Sequence, residues 1–195
     1  MSKLNKLLCF CLLVFAAVSV FAQQSKPINW SLGLQNIRTG ELIPFSTPVK
    51  SYTGEKFRLL ISPEAACYAY VVAESPDGEV GVLYSGALKG GEAWYSPIME
   101  LAAPKGSESL FIVVSRSEQG ALAQRITALA SNSSSTQRRA LMNEVFRLRS
   151  DISKFKEDPE KPVLMGGASR GNPDKSRGVE YSGLEAYVKT ISLEH

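Results

Sequence analysis

Histidine is almost missing from this chain: His195, the last of 195 residues, is the only one. A serine, cysteine or threonine nucleophile needs a base and an orienting partner within hydrogen-bond reach. The histidine-based versions of that chemistry therefore have little to stand on, and His195 reads as an incidental terminus. Cysteine is scarce as well, with Cys9, Cys11 and Cys67 only. The first two fall in an apolar leading run, so without that run Cys67 is alone and no internal disulfide can form. A zinc site needs more thiolate and imidazole ligands than remain, and Cys67 itself reads as a small buried hydrophobe. Charge of one sign is lacking too. Twenty-two Lys and Arg against 19 Asp and Glu leave a formal net charge of +3, too little for an overall claim on nucleic acid or anionic lipid.

Long apolar runs are confined to the start. Lys3 and Lys6 precede a charge-free stretch from Leu7 to Ala22 that closes on Val20-Phe21-Ala22. A short basic region, an apolar core and a small residue at the exit describe a cleavable signal peptide over residues 1–22. The stretch is shorter than the about 20 apolar residues of a membrane anchor. Leu8 before Cys9 and Phe10 before Cys11 are bulky where a lipoprotein signal needs a small residue. The expectation is cleavage after Ala22, a periplasmic or extracellular location, and no stable membrane span afterwards. Losing Lys3 and Lys6 lowers the charge by two, to +1. About 170 residues remain, enough for one domain with a hydrophobic core of its own.

What is present is alternation. Ile28, Trp30, Leu32 and Leu34 recur at every second position, as do Phe57, Leu59 and Ile61 up to Pro63. That period is the mark of strands with one buried face. Cys67 to Ala73 is apolar on both faces, with Tyr68, Tyr70 and Val72 on one and Cys67, Ala69, Val71 and Ala73 on the other. Such a strand belongs in the middle of a sheet covered twice. Ser75-Pro76-Asp77-Gly78 carries turn chemistry at each position, and Val80, Val82 and Tyr84 form the return arm of a hairpin. A short strand is expected at Glu92 to Tyr95 and a buried one at Ser109 to Ser115. Leu122, Ile126 and Leu129 then repeat at helical spacing. After a polar break, Leu141, Val145, Leu148, Ile152 and Phe155 line one face of a longer helix from Thr136 to Lys156, stopped by Pro159. The span 158–180 reads as a flexible loop, and Tyr187 to Leu193 as a closing strand. The fold expected is mainly β: an antiparallel β-sandwich or strongly curved sheet with one long and one short α-helix packed on it. Residues 23–195 read as one domain, with its helical insertion at about 118–157.

Candidate chemistry is thin. Asp77, Glu79 and Glu74 surround a turn but lack calcium-loop spacing. Gly90-Gly91 and Met165 to Gly171 lack the Gly-Lys-Ser/Thr ending of a phosphate loop. No catalytic, cofactor or metal residue is assigned and no cofactor is expected. Tyr68, Tyr70, Tyr84, Trp94 and Tyr95 cluster in the strand region and are the candidate binding surface, for a groove taking peptide or sugar.

Gly54 to Ser115 has a further property. A Gly-Glu-Lys-Phe opening, the Tyr-x-Tyr-Val-Val strand, Asp-Gly, a return strand ending at Leu83-Tyr84, a Gly-Gly turn, and Gly-Ser-Glu-Ser-Leu-Phe-Ile-Val-Val-Ser follow in order. That order resembles the bacterial domain-of-unknown-function family 4384, found in exported proteins and as a module attached to larger signalling or protease-like proteins. Where family members continue toward a Leu-Phe-Pro ending, this chain has Leu83-Tyr84-Ser85. The resemblance implies a β-rich exported domain and brings no catalytic residues. The function expected is non-catalytic binding of a protein, peptide or glycan in the cell envelope, with no nucleic-acid partner. The alternatives are an envelope hydrolase with a carboxylate- or serine-based site, or a structural component of an envelope assembly.

Overall fold

Each run of alternating residues becomes a strand, and the faces they bury define two layers. The computed structural model describes residues 27–152, 161–164, 177–183 and 185–195. The expected signal peptide lies outside them, as do Phe155, Pro159 and Met165 to Gly171. One sheet runs in the order β6 (Trp94–Tyr95), β3 (Lys56–Pro63), β1 (Ile28–Asn36), β10 (Arg177–Gly183) and β9 (Lys161–Leu164), with β7 (Met99–Glu100) also beside β3. The second runs β2 (Val49–Lys50), β11 (Ala186–Glu194), β8 (Ser107–Ser115), β4 (Cys67–Glu74) and β5 (Val80–Leu88). All pairings are antiparallel except β2 with β11.

The two sheets face each other over one apolar cluster, so of the two architectures expected the sandwich is the one formed. Trp30, Leu32, Leu34, Phe57, Leu59 and Ile61 come from the first sheet, and Ala69, Val71, Ile112, Val114 and Ile191 from the second. A second cluster lies on the far side of the second sheet. There Tyr70, Val72, Phe111 and Val113 meet Leu122 and Leu129 of α1 (Gly120–Ser131) and Leu141, Val145 and Leu148 of α2 (Ser135–Ile152). β4 and β8 thus sit between a sheet and a pair of helices. Residues apolar on both faces fit there because neither face meets water.

The chain departs from the sequence-based expectation in four places. First, β1 and β11 pair with β3 and β8 of the Gly54 to Ser115 stretch, and each has a second neighbour that the alternation did not predict, β10 beside β1 and β2 beside β11. Second, the strand expected at Glu92 to Tyr95 shrinks to Trp94–Tyr95. Ser96 takes over the pairing with β3: its N–H donates to Leu59 O at 2.9 Å, and its Oγ accepts from Leu59 N–H at 2.9 Å. Third, the expected loop over 158–180 contains β9 and the start of β10, antiparallel to each other. Pro162 is what disguised β9, since proline is tolerated at a sheet edge, where β9 lies.

The fourth departure matters most for the site. The β4–β5 hairpin turns at Ser75 to Glu79 as expected, with Gly78 at φ 79° and Gly78 N–H donating to Ser75 O at 3.0 Å. Its register then breaks, with Val72 opposite Val82 but Val71 opposite Tyr84. Leu83 is the extra residue of a β-bulge, which reverses the alternation beyond it. Val80 and Val82 face the helices, while Tyr84 joins the sandwich side.

Gly90-Gly91 has a packing role. A Cβ built on Gly90 would stand 2.7 Å from Ala65 Cα and 2.9 Å from Ala66 N, while Gly91 N–H donates to Pro63 O at 2.8 Å. The obstruction is backbone, so it cannot swing aside as a side chain can. Gly90→Ala is expected to lower stability by about 1–3 kcal/mol, read as a fall in the urea midpoint. A substitution at Gly81, where a Cβ meets nothing within 4 Å, should leave it unmoved.

Candidate functional site

Both sheets end on the same side of the sandwich. β5 closes the second sheet and the β6–β7 segment closes the first, and the two edges touch through Tyr84 and Trp94, whose rings lie 4.7 Å apart and tilted by 51°. Tyr84 Oη donates to Ala87 O at 2.8 Å, which fixes the ring along β5. Burial raises the Tyr84 phenol above its ordinary range. Leu83, Tyr84, Trp94 and Met99 are half-buried against the core at this edge. Beyond them, Tyr95 is 51% exposed and Ile98 50% exposed.

The five aromatics expected to share a surface are divided by this arrangement. Tyr84 and Trp94 are brought together, with Tyr95 next to them in β6. Tyr95 pairs with Leu60 on the outward side of β3, and Trp94 with Ile61 on the inward side. Tyr68 and Tyr70 point the other way, toward the helices. Tyr70 is buried, its oxygen accepts from Gln119 N–H at 2.9 Å, and burial raises its phenol. It anchors the start of α1 and presents no surface to a ligand.

The edge strand β5 has a composition of its own. Val80–Leu88 reads VGVLYSGAL, nine residues without a charge or a proline. Edge strands ordinarily carry lysine, proline or an inward-pointing charge, because their open row of N–H and C=O groups pairs with any passing strand. β5 has only its bulge to twist the edge.

Polar residues inside the fold form two further groups. Asn36 accepts from Arg38 N–H at 2.9 Å and Thr39 N–H at 3.1 Å through Oδ1, and donates through Nδ2 to Glu55. Ser51 Oγ donates to the other Glu55 oxygen. This group ties the β1 turn to the β2–β3 connection, and its hydrogen bonds are used within the fold. Cys67 is buried, and burial pushes its thiol up, which holds it in the unreactive form.

The second group centres on His195, and here the expectation is corrected. The imidazole is ordered and its side chain is 0% exposed. Nδ1 lies 3.1 Å from Thr53 Oγ1, and Nε2 lies 3.5 Å from Glu108 Oε1. Burial raises the Glu108 carboxyl above its ordinary range, an effect that His195 partly offsets. A hydroxyl, an imidazole and a carboxylate in line invite an acyl-transfer reading. The amides following Thr53 are already engaged, however: Gly54 N–H donates to Leu101 O at 2.7 Å and Glu55 N–H to Tyr52 O at 3.1 Å. Those donors are therefore not turned toward a developing oxyanion. The signal for this group was in the sequence. Tyr187, Ile191, Leu193 and His195 share one parity, so a strand continued to its end points the imidazole inward.

Among the described residues, no group of three or more His, Cys, Asp or Glu is placed to hold a metal ion, and no helix is long and apolar enough to cross a membrane. A scan against protein-family models returned no match, and a search of curated proteins found none.

Proposed function

We propose that this protein is an exported, non-catalytic module that captures an extended segment of a partner protein along β5, by adding that segment as a further strand. The observation that carries the reading is the nine-residue terminal strand without charge or proline, flanked by exposed Tyr95 and Ile98. Main-chain hydrogen bonds along β5 supply affinity, and side chains alternating along the captured segment meet the aromatic rim. Export rests on the leading basic and apolar segment, and the resemblance of residues 54–115 to family 4384 supports it. A protein segment suits the edge better than a glycan. Sugars stack on open aromatic faces, and Trp94 already has Tyr84 against it.

Strand addition at this edge is tested by photo-crosslinking in exporting cells. A benzoyl-phenylalanine at Ser85, exposed in β5, should yield a discrete crosslinked protein that the same group at Glu118, exposed beyond β8, does not. A synthetic peptide spanning the crosslinked segment should then bind the purified protein. Gly81→Lys with Ala87→Lys, both at exposed positions of β5, should weaken that binding at least about tenfold, while the unfolding midpoint stays put. Identical products from both positions, or a peptide indifferent to the two lysines, would contradict the reading.

A further inference from the structure

We propose that Thr53, Glu108 and His195 form a proton-operated clasp, which fastens the end of β11 and the start of β8 to the β2–β3 connection and tightens when the imidazole is protonated. The inference is independent of strand capture at β5.

Three elements meet at this point. His195 N–H donates to Gly106 O and Gly106 N–H to His195 O, both at 3.0 Å. This closes β11 onto the loop that leads into β8. Ser51 N–H donates to Glu194 O at 2.8 Å, bringing in the residues after β2. The imidazole then spans the join, with Thr53 on one nitrogen and Glu108 on the other. Its side chain is shut away from water, and the Glu108 side chain is 19% exposed. A charge pair so enclosed is screened far less than one at the surface.

Protonation changes what each atom can do. A neutral imidazole donates from one nitrogen and accepts at the other, which leaves Glu108 an anion in a partly dry site without a counter-charge. A protonated imidazole donates from both nitrogens, to Thr53 Oγ1 and to Glu108, and supplies that charge. The other groups around the pair oppose Glu108 rather than His195. Asp77, in the β4–β5 turn, faces Glu108 electrostatically and is itself countered by Arg138 of α2. Lys50 and Lys105 are exposed on the flanking elements. The sign follows. A carboxyl whose folded-state range is raised favours the folded protein while it is protonated, and gives up that contribution as pH climbs through the raised value. A proton on His195 offsets the loss by giving Glu108 its counter-charge. The clasp is therefore tighter while the imidazole carries its second proton and slackens once that proton is lost.

A double-mutant cycle on the mature chain tests it, using Glu108→Gln, His195→Asn and the pair, each unfolded in urea at about pH 5.5 and about pH 8.5. The coupling between the two positions should change the unfolding equilibrium about tenfold at the lower pH and less than about twofold at the higher. Amide-exchange protection at Gly106 and His195, referred to Val113 in mid-β8, should fall between the two pH values in the wild type and stay level in Glu108→Gln. Equal coupling at both pH values, absence of coupling at the lower one, or level protection in the wild type would overturn the clasp.

Discussion

Val145→Asp is expected to cost about 4 kcal/mol and to strip the helices from the sheet. Val145 is fully buried between α2 and the second sheet, among Leu141, Leu148, Val72 and Val113. The substitution removes apolar contact and places a carboxylate where water does not reach. Losing the methyl groups alone, as in Val145→Ala, should cost about 2 kcal/mol. The remainder is the penalty for a buried group without a hydrogen-bond partner. The helix layer is vulnerable because α1 has 12 residues and α2 has 18. A helix as short as α1 is marginal in water, and α2 too draws most of its stability from packing an apolar face on the sheet. The sandwich keeps its own core on the other side of β4 and β8, so helical circular dichroism should fall while the strand signal persists. Unchanged helicity and an unchanged urea midpoint would show that the stripe does not bear on the sheet.

Trp30→Ala is the matching prediction for the other cluster, with an expected loss of about 3–5 kcal/mol. The indole is 1% exposed, stacked on Tyr181 at 4.7 Å between ring centroids and edge-on to Tyr187 at 5.8 Å. Tyr181 belongs to the first sheet and Tyr187 to the second, so this one side chain joins the two layers where the chain crosses from β10 to β11. Aromatic pairs of this kind contribute about 0.5–1.5 kcal/mol beyond the area they bury. Trp30→Phe, which keeps a ring there, should therefore lose markedly less than alanine does. Trp94 is the only other tryptophan and sits at the β5 rim, so in Trp30→Ala it reports that edge by fluorescence. A midpoint equal to the wild type would contradict the placement of Trp30 between the sheets.

How far the sequence could be read depended on whether a single period governed the stretch in question. β1, β3 and the two faces of β4 obey strict alternation, and the structure places their residues as that alternation requires. The helical stripe from Leu141 to Leu148 is likewise buried where the period puts it. Within the candidate surface, the place of Tyr84 turns on one residue. Continued without a break, the pairing of Val72 with Val82 would set Tyr84 opposite Tyr70, on the helix side. The bulge at Leu83 sets Tyr84 opposite Val71 instead, against Trp94. No residue type in VGVLYSGAL announces an insertion in the register, since a bulge is a property of the pairing between two strands. The contact of β5 with the β6–β7 segment is hidden for a related reason: it joins the last strands of two different sheets. β9 was masked by its proline and by charged neighbours. His195 is legible in its shared parity with Tyr187, Ile191 and Leu193, although a residue at a strand's end does not ordinarily complete a buried polar group.

The bulge also organises the proposed site. It turns Tyr84 onto Trp94, leaves Ser85 and Ala87 exposed, and holds β5 at the open end of its sheet. The proposed capture of a partner segment and the exposed Tyr95 and Ile98 are thereby connected to one strand. The helices support that strand from behind through Val80 and Val82.

The most direct test is amide hydrogen exchange along Val80–Leu88, with and without the peptide identified by crosslinking from Ser85. Strand addition predicts that alternate amides of β5, those not already paired to β4, exchange markedly more slowly in the complex, while the amides of β9 at the far edge of the other sheet do not change. Peptide binding that leaves every β5 amide exchanging at its free rate, with protection appearing elsewhere, would contradict it.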